Sequence, residues 1–194
     1  MSIIKRVVFV VCLLLTGLCA KAQTHSCDSI VWRAGRKLTW NDFKGTLNLN
    51  DPVSARSNTN FVREWAVENG TLKTTMICFF SPCLSWSKSK RSARLLKHEQ
   101  GHFDITEYYR RVYYKRIAEA SYTPATLPAL MKDIYDSITR ECGTMQEAYD
   151  RETHHSLLTD KQREWQLNIT QLLAAERAYN RKTMVVTLPR ELVD

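Results

Sequence analysis

No segment of this sequence repeats and none is of low complexity, which excludes a repeat array and argues for one folded unit. It lacks a dense Lys/Arg block with interleaved aromatics. The formal charge of +8 therefore reads as a solvated face, and no nucleic-acid partner is expected. It also lacks an apolar run long enough to cross a bilayer comfortably; Val7 to Leu18 has only the length of a signal-peptide core. Cysteine is scarce, at six, and the Cys78/Cys83 gap is too loose, with no second pair following, to favour a thiolate zinc site. Histidine is scarcer still. Of five, four fall in two clusters, His98/His102 and His154/His155.

The N-terminus has the three parts of an export signal. Lys5 and Arg6 precede the apolar run, and Ala20-Lys21-Ala22 supplies a small-x-small cleavage pattern. A lipoprotein signal would use Cys19, but Leu18 stands where a small residue is wanted. The expected division is a signal peptide over residues 1–22 and one domain over 23–194, secreted or periplasmic and without stable membrane insertion after cleavage. Removal of Lys5, Arg6 and Lys21, with no acidic residue, takes the charge from +8 to +5. Four cysteines remain: Cys27, Cys78, Cys83 and Cys142. An even number in an exported chain predicts one or two disulfides, with Cys78 and Cys83 expected to take part.

The first third of the domain reads as β. Ile30 to Trp32 and Leu38 to Trp40 are short extended stretches, and residues 44–58 are polar and turn-rich. Thr59 to Val67 and Thr71 to Phe80 form a hairpin around Asn69-Gly70, a dipeptide suited to a tight turn of positive φ. The end of the second arm is apolar on both faces, which predicts a strand covered by helices. The remainder is helical: Ser92 to about Ala120; a stripe from Leu127 to Tyr149; and a third segment with a Thr159/Gln162 capping-box pattern and a core face of Trp165, Ile169, Leu172 and Leu173. Thr183 to Leu188 is β-prone.

The chemistry concentrates in His98-Glu99-Gln100-Gly101-His102. Two histidines four apart on a helix point to one side and can share a metal ion. Leu95, Ile105 and Tyr109 share their stripe, so the pair points inward, where two neutral imidazoles need partners. Glu99 flanks such an ion and is placed as a general base, the mechanical logic of the H-E-x-x-H pattern of zinc peptidases. Catalytic zinc takes a third protein ligand and keeps one position open. Tyr149 to His155 is the richest source, with His155, His154 and Glu152 as candidates. Asp104 and Glu107 lie away from the pair, as outer-sphere or surface groups. Tyr149, His154, Tyr108 or Tyr109 could stabilise an oxyanion.

At these residues the chain resembles the bacterial domain of unknown function 922, described as predicted secreted zinc-dependent proteases. The matching blocks are Leu38 to Gly45, Ser85-Trp86, Leu95 to Glu107 and Tyr149 to Ser156, followed by Gln162 and Trp165. The resemblance marks His98 and His102 as ligands and Glu99 as base. Its later block runs Tyr-Asp-x-x-Thr-x-His-Gly, which makes His155 the third ligand, with Glu152, His154 and Tyr149 as outer-sphere or alternative groups. Ser156 departs from it, standing where the pattern has Gly. The expected fold is α+β, a zincin-like domain with an N-terminal sheet and hairpin, an active-site helix and further helices. The expected function is hydrolysis of peptide bonds in a peptide or protein substrate by a zinc-activated water. The alternatives are a non-catalytic metal-binding module of the cell envelope and a purely structural metal site.

Overall fold

The computed structural model describes residues 27–188, so the expected signal peptide lies outside the described residues. The chain is α+β, with antiparallel strands first and three helices after them. The main sheet contains β1 (Ile30–Val31), β3 (Thr59–Glu68), β4 (Thr71–Phe80) and β6 (Thr183–Thr187), and β4 pairs with the other three. A second ribbon pairs β2 (Ala55–Arg56) with β5 (Trp86–Ser87). The helices are α1 (Ala93–Glu119), α2 (Leu127–Thr153) and α3 (Thr159–Ala175).

The hairpin forms where the turn dipeptide places it. Asn69 (φ 50°) and Gly70 (φ 69°) both take the left-handed conformation that matches the twist of the flanking strands. Leu72, Thr74, Met76, Cys78 and Phe80 of β4 are all buried, as strand alternation requires of one covered face. The opposite face differs from expectation. Helices cover one side only, and Val31 and Val62 stand exposed at 44% and 52% on the other. The β-prone tail is a true strand, since β6 pairs with β4 from Thr71↔Thr187 to Thr75↔Thr183.

Helix α1 starts where Ser92 accepts a hydrogen bond from the Leu95 N–H at 3.1 Å, satisfying one orphan donor of the first turn. It is buried nearly all round, so it carries polar groups into the interior. Glu107 is an internal group rather than a surface one. Its carboxylate accepts from Arg110 Nε at 2.6 Å and Arg111 Nε at 2.8 Å, and the same guanidiniums donate to the carbonyls of Arg181 and Leu173. The cluster pins α1 to the C-terminal segment, and a buried carboxylate needs that degree of pairing. The Thr159/Gln162 capping box does not form. Leu158 is the N-cap of α3, and the Gln162 side chain is used elsewhere.

The disulfide joins Cys27 to Cys83, not Cys78 to Cys83. Cys78 lies on the covered face of β4, where burial pushes its thiol well up and keeps it neutral, and Cys142 is likewise a buried free thiol. The pair is 56 residues apart, and in the loop-closure model such a crosslink contributes about 4 kcal/mol. Non-reducing peptide mapping should recover a Cys27–Cys83 peptide and free thiols at Cys78 and Cys142. Cys27→Ser should lower stability by several kcal/mol, and a Cys78–Cys83 peptide would overturn the assignment. Such a bond suits an oxidising compartment. Among the described residues no helix is long and apolar enough to cross a membrane.

Candidate metal centre

The site lies where the first third of α1 meets the last turns of α2. His98 and His102 are one helical turn apart on α1, with their ring centroids separated by 4.8 Å. Asp150, from α2, brings its Oδ1 to 3.0 Å from His98 Nε2 and 3.0 Å from His102 Nε2; the two Nε2 atoms are 3.2 Å apart. These three atoms form a nearly equilateral triangle. Donors bound tetrahedrally at the usual zinc distance of about 2.0–2.1 Å would lie about 3.3 Å from each other. His155 follows on the turn after α2, with Nδ1 3.1 Å from the same Asp150 oxygen. The donor atoms of His98, Asp150 and His155 all lie within 4.8 Å of one another, so this group could hold a metal ion.

Two glutamines set the imidazole tautomers. His98 Nδ1 faces Gln162 Oε1 at 3.0 Å, and His102 Nδ1 faces Gln146 Oε1. The Gln146 amide nitrogen donates to His102 O and Thr106 Oγ1, and that of Gln162 donates to the Tyr149 hydroxyl at 2.6 Å. With the amide nitrogens so engaged, each carbonyl oxygen accepts Nδ1–H, and each Nε2 turns a lone pair toward the centre. Three acceptors then converge on one point, an arrangement that demands a cation, whether a proton or a metal ion. Without a metal, burial disfavours a charged His102, but the Asp150 hydrogen bond and the Glu99 and Asp150 charges outweigh it and raise its pKa. Burial also opposes ionisation of Asp150, yet its hydrogen bonds with His102 and His98 hold the carboxyl far below the usual carboxylate range.

Tyr149 supports the cluster from behind. Its ring stacks on His98 at 4.5 Å, and its hydroxyl donates to the His98 carbonyl at 3.2 Å. That packing is possible because residue 101 is glycine. A Cβ there would stand 2.3 Å from the Tyr149 hydroxyl and 2.7 Å from its Cζ. Gly101→Ala should therefore push α2 off α1 at the site and cost about 1–3 kcal/mol. The check is a double-mutant cycle with Tyr149→Ala, in which strong coupling is expected and simple additivity would refute the clash.

Glu99 is buried beside the donors and lines the same cavity, of about 360 Å³. Ser57 donates to its Oε2 at 2.6 Å, fixing the carboxylate. The cavity lies between the α1–α2 pair and a β wall running from Val53 to Phe61. β3 and the segment before it thus border the cleft.

Glu152 and His154 fall outside the donor group. The Glu152 carboxylate accepts from Trp165 Nε1 at 2.9 Å, and exposed His154 caps α2 in a left-handed conformation. Tyr149 is fully buried, and neither its hydroxyl nor those of Tyr108 and Tyr109 line the cavity. His154, His155 and Ser156 all have positive φ, of 46°, 49° and 77°. Ser156 thus occupies a backbone position that favours glycine. Asp150, Ser57, Gln146 and Gln162 belong to the site although no motif in the sequence marks them for it. For Asp150 a signal existed: it lies four residues after Gln146 on the α2 stripe that faces α1.

Residues 84–156 match the model of a family described as a bacterial protein of unknown function (DUF922), and the match supports a place in that family. The matched span contains His98, Glu99, His102, Asp150 and His155 but not Ser57 or Gln162. Neither the curated proteins nor the solved structures contain a match to this chain.

Proposed function

We propose that the chain is an exported zinc-dependent hydrolase of peptide bonds, with His98, His102 and Asp150 as ligands and Glu99 as general base. The observation that carries this reading is the triangle of acceptor atoms, 3.0–3.2 Å on a side, beside the Glu99 carboxylate in an open cavity. A bound zinc ion supplies the Lewis acidity that polarises a scissile carbonyl and acidifies a water. Gln146 and Gln162 hold both imidazoles in the metal-binding tautomer. Glu99, steadied by Ser57, takes the proton of the attacking water and delivers it to the leaving amine. His155, half exposed at the rim, lies 3.1 Å from the same Asp150 oxygen and would orient that carboxylate from outside the ligand set.

The zincin-like character of the domain belongs to this proposal and rests on the order of hairpin, motif helix and later ligand. The signal pattern and the Cys27–Cys83 bond support export. A closed structural site would have no use for Glu99 or for the cavity beside it. The test is digestion of an unbiased peptide library by the purified mature protein. Discrete cleavage should appear with about one zinc per chain and vanish after chelation. A fully zinc-loaded protein that cleaves no peptide would refute the hydrolase reading.

A further inference from the structure

Thr139, Gly143, Gln146 and Asp150 recur at four, three and four residues, so they form one stripe along α2, and all four line the cavity. The stripe carries the cavity away from the donor triangle, about 10 Å from Asp150 to Gly143 at the rise of a helix. Across from it stand Thr59, Asn60 and Phe61 of β3, which among the described residues is an edge strand of the main sheet. Thr106 and Cys142 complete this part of the lining. The one Lys or Arg in the whole lining, Arg56, adjoins Ser57 and is paired with Asp51 at 2.8 Å, and between Thr139 and Asp150 none of the stripe's groups is charged, since burial raises the Cys142 thiol pKa to about 11 and keeps it neutral.

Gly143 is the anomaly in this wall. It lies in the interior of a 27-residue helix, where glycine is the weakest former after proline. No close packing asks for it, because a Cβ added there meets nothing within 4 Å. No positive φ asks for it either, since Gly70 is the one described glycine in that region. What a larger side chain would change is the cavity.

We propose that Gly143 keeps open a neutral subsite beside the metal centre, and that this subsite receives an uncharged side chain of a polypeptide lying along the β3 edge. The proposal rests on the hydrolase reading above and names the substrate class of that site. A strand edge with no strand beside it can bind an extended chain through its main-chain groups, here by displacing the Asn60 side-chain oxygen that the Phe61 N–H donates to at 2.8 Å, while the adjoining pocket selects the side chain.

The test uses the zinc-loaded mature protein and peptide hydroxamates, measured by calorimetry so that turnover is not required. One set carries the chelating group at the C-terminal end and the other, as malonyl hydroxamates, at the N-terminal end, offering a side chain on either side of the ion. In one set the Leu and Phe probes should bind at least about 10-fold tighter than the Lys and Asp probes, the discrimination expected of a neutral pocket against a buried charge. Gly143→Leu should weaken the Phe probe by a similar factor and leave acetohydroxamate unchanged. Gly143→Ala, a control for folding, should raise the melting temperature by about 2–4 °C through helix propensity. Binding of acetohydroxamate without side-chain preference, or equal weakening of every probe in Gly143→Leu, would overturn the subsite alone. A zinc-loaded protein that binds no hydroxamate would overturn the hydrolase reading and the subsite with it.

Discussion

Glu99→Gln is expected to retain its zinc and to lose hydrolysis by about 100- to 10,000-fold, the usual worth of a positioned general base. The substitution keeps the shape of the side chain, and the amide oxygen can still accept from Ser57, whose hydroxyl lies 2.6 Å from the native carboxylate. Packing and metal binding are therefore untouched while the proton acceptor is gone. Ser57→Ala should have a smaller effect, because it frees the carboxylate without removing it. The measurement is metal content by elemental analysis beside kcat on a peptide recovered from the library digest. A Glu99→Gln protein of undiminished kcat would remove Glu99 from the mechanism. One that loses its zinc would show that the residue binds the ion instead.

Asp150→Ala should weaken zinc binding by more than about 1,000-fold, beyond the 10- to 100-fold typical of an outer-sphere partner. The reason is geometric. Asp150 Oδ1 is 3.0 Å from both imidazole Nε2 atoms and 3.1 Å from His155 Nδ1, so it is the one atom that touches every other donor. His155 is 48% exposed and lies close to Asp150 but not within the triangle. Its alanine variant should lose about 10- to 100-fold. Glu152→Ala and His154→Ala should bind zinc as the parent does, since Glu152 is engaged with Trp165 and His154 is exposed. Competition with a calibrated chelator gives the ranking. If His155→Ala abolished binding while Asp150→Ala kept it, the third ligand would be the histidine implied by the family resemblance, and the triangle would be misread.

Much of the architecture is legible because its signals are local. Asn69-Gly70 dictates its turn wherever it lies, and Ser92 caps α1 through its own hydroxyl. The two histidines of the motif share a face through helix geometry alone. What escapes is set at long range. The disulfide partner of Cys83 depends on β1 lying against the end of β4, which brings Cys27 near, and no spacing rule encodes that pairing. Ser57 sits in a turn-rich stretch indistinguishable from other surface loops, and only the ribbon between β2 and β5 brings it to Glu99. Gln162 reads as a capping residue by its spacing from Thr159, yet an imidazole 64 positions away claims its side chain. Asp150 stands in sequence beside two histidines, which are the more common zinc ligands. Helical phase distinguishes them: Asp150 continues the Gln146 stripe, whereas His154 and His155 lie beyond the end of α2.

The Cys27–Cys83 bond divides the site unequally. The covalent ring it closes contains Val53, Ser57 and Phe61, and so the whole β wall of the cavity, while every proposed metal donor and Glu99 lie outside it. Reduction would strip the crosslink from the wall that steadies Glu99, whereas neither half-cystine lies on α1 or α2, the helices that gather the donors. On the hydrolase reading, reduction of the bond should therefore disturb cleavage before it disturbs zinc binding.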